Sequence, residues 1–412
     1  MNKPFRLITA LAIILSLCGC GKHEPEIQLN IRRATTIADS GKENTTHLRH
    51  EYSRRQAFNA DASYFLAQDS HGFWHLYNQA TGTHIRALPQ LVGDCEPLWD
   101  PQDPKRIIHT DRNGGTRWYH TNVDTLEHST LIDLARHSPW PLATSYSTKG
   151  EGRTSADGRY LALIAAHYDA NTQHTHTYGL VVVDLQSASI ISTLDAADFP
   201  TPYANPDHIS LSPSGNFVVA SWTADGGGTH KWDRDFRNHH PLSPTTEHSD
   251  LAIDHNGDDH YVSTDYSRGM ITSQNLKTGE IIELSPLYPA PGEAYAAHIS
   301  GQAHRTPGWV VISSYAYTTN YGADYPKQHT SPFFNAIWIQ ELKPAGKRLL
   351  VAHTGRSPER IDPNLEYFLE PHASASADLD HIIFAGTIDS DAIESYIIDL
   401  PALSALPDMS PR

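Results

Sequence analysis

The sequence predicts an all-β fold, a seven-bladed β-propeller of four-stranded antiparallel blades. Three observations carry that expectation. A strand–turn–strand unit, clearest at 206–222 (PDHISLSPSGNFVVASW), recurs at 53–67, 94–110, 150–165, 248–264 and 370–386, with a copy three residues longer at its turn at 296–314. The units begin near Arg55, Glu96, Glu151, His208, Asp250, His298 and His372, at intervals of 41, 55, 57, 42, 48 and 74 residues. That is the spacing of propeller blades once loop insertions are allowed. Each unit then runs into a third strand and, through a Gly-, Asp- or Asn-containing turn, a fourth, as at 73–77, 78–82 and 85–88.

Taken in order, the chain opens with a targeting segment, 1–19. Lys3 and Arg6 precede an apolar run, 7–17, too short for a stable membrane-spanning helix. Next comes Leu17-Cys18-Gly19-Cys20. Leucine at −3 and glycine at −1 resemble the bacterial lipoprotein box, which makes Cys20 the lipidated residue. The plainer alternative is an ordinary secretory signal with incidental cysteines. A lipid on Cys20 would be the chain's sole membrane attachment, and Gly21 in place of aspartate implies a bacterial outer membrane, on its periplasmic side. Residues 20–45 are polar and read as a lipid-anchored tether, 46–52 as an edge strand that helps close the ring, 46–402 as one propeller domain and 403–412 as a tail.

With Cys20 lipidated, Cys95 is the one thiol left to the folded domain and reads as a buried small hydrophobe; no intramolecular disulfide is expected. The formal charge of −16 argues against a nucleic-acid partner, which selects for a basic face. A monomer is expected.

Strand direction alternates within a blade, so the b–c and d–a connections share one face, here called the top. The first residues of the inner strands then crowd the top mouth of the central channel, and all seven are polar. The long b–c connections of blades three (167–178), four (225–230) and six (315–335) fall on the same face, where excess loop length tends to serve function.

His208, Asp250, His298 and His372 occupy equivalent positions in blades four to seven. Three imidazoles and a carboxylate aimed at one axis are a donor set for a divalent ion such as Mn, Zn or Ni; the competing reading is a hydrogen-bonded, water-filled channel. His167 and His176, with Tyr168, are candidates for proton transfer, set against a solvated polar hairpin. Arg55, Tyr315, Tyr317 and Tyr321 are candidates for holding a substrate, the tyrosines by stacking on sugar rings, set against a loop that packs on its own aromatics. No Gly-x-Ser-x-Gly elbow or HExxH motif is present, and 226–228 is no phosphate loop.

The repeated pattern x-P-x-x-S-x-D-G-x-x-I-x-F resembles the TolB-type periplasmic propellers. The inner-strand histidines in Ala297-His298-Ile299-Ser300 and Glu370-Pro371-His372-Ala373-Ser374 are more similar to those of the oligogalacturonate lyases, which are seven-bladed and metal-dependent. That resemblance implies metal ligation by His298 and His372, with Asp250 where a third histidine is expected. It also implies a catalytic base from the blade-three region, where His167 and His176 lie without the family's assisting arginine. Ulvan lyases share the architecture, but their catalytic set has no counterpart placed here. Two functions follow as expectations. One is a metal-assisted lyase that cleaves an anionic oligosaccharide by β-elimination at the top mouth. The alternative is a non-catalytic TolB-like scaffold that binds envelope proteins or glycans.

Overall fold

The computed structural model describes residues 29–222, 227–245, 248–288, 295–316, 331–355 and 361–410. Cys18, Cys20, Tyr317 and Tyr321 lie outside them. Among the described residues the strands form seven radial antiparallel blades. Blades two to six are each a separate four-stranded sheet, and blades seven and one merge into one eight-stranded sheet.

Blade three shows why these sequences form buried strands. In Tyr160–Asp169, Leu161, Leu163 and Ala165 pack toward blade two, while Ala162, Ile164 and Ala166 pack toward blade four. Side chains alternate across a strand, and a blade is covered on both faces, so the run reads LALIAA with no polar break. The partners across the blade three–four seam include Ile209, Val218, Ala220 and Trp222.

The Ser and Asn residues of the repeat have a defined task. At the inner-strand turn, Ser155, Ser212 and Ser376 each accept the backbone N–H of the residue that starts the next strand, from Tyr160, Phe217 and His381 at 3.0, 3.1 and 3.0 Å. Asn59 does the same for Tyr64 at 2.9 Å. The turns close through Gly158 (φ +75°) and Gly215 (φ +73°), whose left-handed backbone disfavours a side chain.

Three expected boundaries move. The inner strands of blades two and seven begin not at Glu96 and His372 but at Leu98 and Ser374. Glu96 (φ +52°) and His372 (φ +43°) adopt a left-handed conformation that a strand cannot continue. In blade three the inner strand begins earlier, at Ser145–Ser147, breaks around Glu151 and resumes with Thr154 paired to Leu161.

The stretch expected as a tether is structured in part. Asn30–Arg33 is the outermost strand of blade seven, antiparallel to Ile393–Asp399 in the register Asn30↔Asp399 to Arg33↔Tyr396. His47–Arg49, within the expected closing strand, pairs in parallel with Ile393–Asp399 and antiparallel with Tyr64–Asp69, which joins the last blade to the first. Closure removes the free sheet edge that an open ring would expose.

Candidate metal centre

The channel is crossed by side chains from opposite blades. Arg54 enters from the blade-one connection and reaches Glu151 at 2.5 Å, His208 at 2.6 Å and Ser249 at 3.2 Å. Arg153 reaches the carbonyl oxygens of Gly301 at 3.1 Å and of Leu251. Gln302 donates to the carbonyl of Arg54 and to Asp250. These bonds join blades one, three, four, five and six across the axis.

Beneath the top mouth, His298, Glu370 and His372 form a buried group whose ligand atoms lie within 4.8 Å of one another. His298 Nε2 is 2.6 Å from Glu370 Oε2, His372 Nε2 is 3.6 Å from the same oxygen, and the two imidazole centroids are 4.0 Å apart. His298 comes from the inner strand Ala296–Ser300 of blade six. Glu370 and His372 come from the segment just before Ser374–Ala375 of blade seven, after the short 3-10 helix Pro363–Leu369. The left-handed backbone at His372 is held by its carbonyl, which accepts His50 Nε2–H at 2.7 Å. For a non-glycine residue that conformation costs on the order of 1–3 kcal/mol, and such strain concentrates at functional positions.

Aromatic rings surround the group. His298 stacks on His248 (4.6 Å) and Tyr315 (4.8 Å), and Tyr52 contacts both His298 (5.2 Å) and His372 (4.7 Å). Burial drives the protonation states toward neutral forms. Desolvation pushes the His298 imidazolium down to about 3 and His372 well below the usual histidine range, and lifts the Glu370 carboxyl to about 7.

The donor set fits a divalent cation. His298 Nδ1 and both ring nitrogens of His372 are buried without a hydrogen-bond partner, an arrangement rare in folded interiors. Neutral imidazoles offer lone pairs, and two imidazoles plus a carboxylate suit Mn, Zn or Ni.

The four residues expected as one metal set do not converge. His298 and His372 come together, with Glu370 as the third member. His208 belongs to a second group with Glu151 and Asp207. There the cation is already supplied: Arg54 only donates, so His208 Nε2 accepts, and His208 Nδ1–H faces Asp207 at 3.3 Å. Burial would raise the Glu151 carboxyl, but its charged surroundings, Arg54 foremost, hold it below the usual range. Asp250 is spent on the backbone, accepting from Gly301 N (2.7 Å), Leu251 N (2.7 Å) and Gln302. Those backbone N–H groups, which no sequence pattern displays, claim the carboxylate and leave it outside the histidine group.

The other expected residues are placed as follows. His167 and His176 pair across the strands of the blade-three hairpin, Tyr160–Asp169 and His174–Asp184. Tyr168 there is 56% exposed. Among the described residues no hydrogen bond, ion pair or ring contact links these three to the buried imidazoles. Arg55 is buried in the wall, bonded to Gly150 O (2.9 Å) and Pro97 O (3.1 Å) and paired with Glu51 (3.0 Å), so it presents little to a substrate. Tyr315 is 3% exposed and packs on His298 rather than facing solvent. Cys95 is buried, and desolvation lifts its thiol to about 12.

Residues to which the sequence reading gave no role in the site complete it. The top mouth is lined by Arg49, Glu51, Tyr52, Asp94, Lys149, Glu151, Tyr367 and Phe368, among others. Desolvation lifts the Glu51 carboxyl to about 7. Glu370 was legible as the neighbour of the Pro371-His372 pair, and its chemistry alone marked it as a ligand type.

No protein-family model matches the chain, and no curated protein sequence matches it. Solved structures do. An oligogalacturonate lyase from Vibrio parahaemolyticus superposes with a TM-score of 0.60 at 14% identity, covering 95% of this chain and 99% of that one. An oligogalacturonate lyase in complex with manganese superposes with a TM-score of 0.60 at 15% identity, covering 96% and 100%. The β-propeller domain of Myceliophteria thermophila Cps50 gives 0.51 at 12% identity, covering 87% and 99%. At these identities the likeness establishes the propeller fold over nearly the whole chain.

Proposed function

We propose that this protein is a metal-dependent polysaccharide lyase that cleaves a uronate-containing chain by β-elimination at the top mouth of its channel. The observation that carries the reading is the buried His298–Glu370–His372 group with its unpartnered imidazole nitrogens. The oligogalacturonate lyase structures, one of them a manganese complex, supply the analogy in reaction class. A divalent ion held there would draw charge from a uronate carboxylate and acidify the adjacent C5 proton.

The chain's own residues do the remaining work. Glu51 lines the mouth with a carboxyl balanced near neutrality, suited to take the C5 proton. As that C–H bond breaks, the C4–C5 double bond forms and the C4–oxygen bond breaks. Tyr52 stands beside both imidazoles and is held protonated by desolvation, suited to return a proton to the leaving oxygen. Tyr367 and Phe368 offer apolar faces to sugar rings. We further propose that the enzyme sits at the envelope, anchored through Cys20, which the lipoprotein-like N-terminal segment supports.

A second reading, a scaffold without turnover, draws support from the mouth's charge: Glu51, Asp69, Asp94 and Glu151 face it against Arg49 and Lys149. The ultraviolet absorbance of unsaturated uronates separates the two. Purified protein is incubated with a panel of uronate-containing glycans, with and without chelator. A chelator-sensitive rise supports the lyase; no rise on any glycan, with metal supplied, removes it.

A further inference from the structure

The far end of the channel holds a second cavity, of about 50 Å³, at the face opposite the candidate metal centre. It is enclosed by the inner-strand turns of blades one, two, three, four, six and seven. Its walls include Phe58, Leu98, Trp99, Pro101 and Pro213, and its polar lining comes chiefly from Gln56, Arg153, His304 and Arg305. A water needs on the order of 10–15 Å³ measured this way, so the space admits a few waters or one small molecule.

Two buried hydrogen-bond donors here have no acceptor: Gln56 Nε2 and Arg153 Nε. The rest of each side chain is fixed. Gln56 Oε1 accepts Phe58 N–H at 3.1 Å, and Arg153 is tied across the axis to Gly301 and Leu251. Arg153 is 8% exposed, so neither rotation nor bulk water readily satisfies it. Arg305 bridges the outer rim, donating to the carbonyls of Ala60 (2.6 Å) and Pro101 (3.1 Å).

The chemistry of the lining selects an acceptor. No aspartate or glutamate is among the described residues that line this cavity, although the chain carries 47 of them and a net charge of −16. Asp250 lies above Arg153 and Asp378 outside Arg305, at 3.5 Å; both offset positive charge without entering the lining. His304 donates Nδ1–H to Gln302 O at 3.0 Å, and burial and Arg153 hold its ring down to about 4, leaving it neutral. A cation would find no counter-charge here, and an alcohol would bring an O–H of its own for which the lining holds no carboxylate. A carboxylate supplies two acceptor oxygens and sets a short alkyl body against Leu98 and Trp99.

We propose that this cavity is a binding site for a small aliphatic monocarboxylate, separate from the candidate metal centre. The full folded chain is titrated with acetate and isobutyrate, with acetamide and methylammonium as uncharged and cationic controls, by calorimetry. Saturable binding of at least one carboxylate is expected, with neither control bound. Gln56→Glu removes the free donor and adds a repelling charge; it should weaken carboxylate binding at least roughly tenfold, about 1.4 kcal/mol. Gln56 is half-buried at the channel end, and circular dichroism checks that the variant keeps its fold. Arg153→Met should act the same way if it folds. No saturable carboxylate binding to the wild type, or equal affinity in Gln56→Glu, overturns the assignment, and water then fills the cavity. Metal content is measured in parallel, so that failure here is distinguishable from failure of the lyase reading.

Discussion

His298 Nε2 lies 2.6 Å from Glu370 Oε2, with the two side chains 1% and 2% exposed. The residues are 72 positions apart and come from different blades. Burial pushes both toward neutrality, so the pair is neither a strong ion pair nor an ordinary surface contact. Beside His372, whose ring nitrogens lack partners, it forms a donor set whose charges a divalent cation would rebalance.

Removing any member of that set should abolish stoichiometric metal. His298→Ala, His372→Ala and Glu370→Gln are each expected to weaken Mn or Zn binding by roughly 100-fold or more. Elemental analysis after dialysis against trace metal checks this. His208→Ala, whose ring meets Arg54 and Asp207 instead, should leave metal content unchanged.

Arg54→Met should destabilise the fold by on the order of 3 kcal/mol, because Glu151 and His208 lose the cation that crosses the channel. Urea unfolding measures the loss. The double variant Arg54→Met, Glu151→Gln should recover part of it, since no carboxylate is then left unpaired.

Glu51→Gln should lower kcat by about 10²–10⁴ with little change in KM. In the wild type, activity should rise with pH through about 7, as the Glu51 carboxyl ionises. A profile flat between pH 6 and 8 would count against Glu51 as the proton acceptor. By contrast, His167→Ala and His176→Ala, on the outer hairpin, should change kcat by less than about twofold, as surface changes away from a site usually do.

Stability should fall on mild acidification. Burial holds His109 near 4 in the folded protein against an ordinary value of 6.5. The unfolded chain therefore takes up the proton first. The stabilisation is complete above pH 6.5 and is lost progressively as pH falls to about 4. The neutral ring is saturated, its Nδ1–H on Thr110 O at 3.0 Å and its Nε2 receiving Thr121 Oγ1 at 2.9 Å. His109→Gln should reduce the slope over that window by about 2–3 kcal/mol in total, read from urea midpoints at several pH values.

The blade count and the gathering of polar inner-strand starts on one face were legible in the sequence, because strand alternation and turn residues are local and repeat. Ser155, Ser212 and Ser376 announced the turns for the same reason. The outermost strand of blade seven was not legible: Asn30–Arg33 is short and polar, and only its pairing with Ile393–Asp399 makes it a strand.

By itself the sequence determined a ring of seven β-blades and a set of polar residues gathered at the inner-strand starts. Tertiary structure alone decided which of them meet. A left-handed backbone at His372 turns its ring toward His298 and Glu370, Arg54 captures His208, and backbone N–H groups claim Asp250. The physical reason is that buried polar atoms are assigned by partners across the channel, and those partners lie tens to hundreds of residues away in the chain.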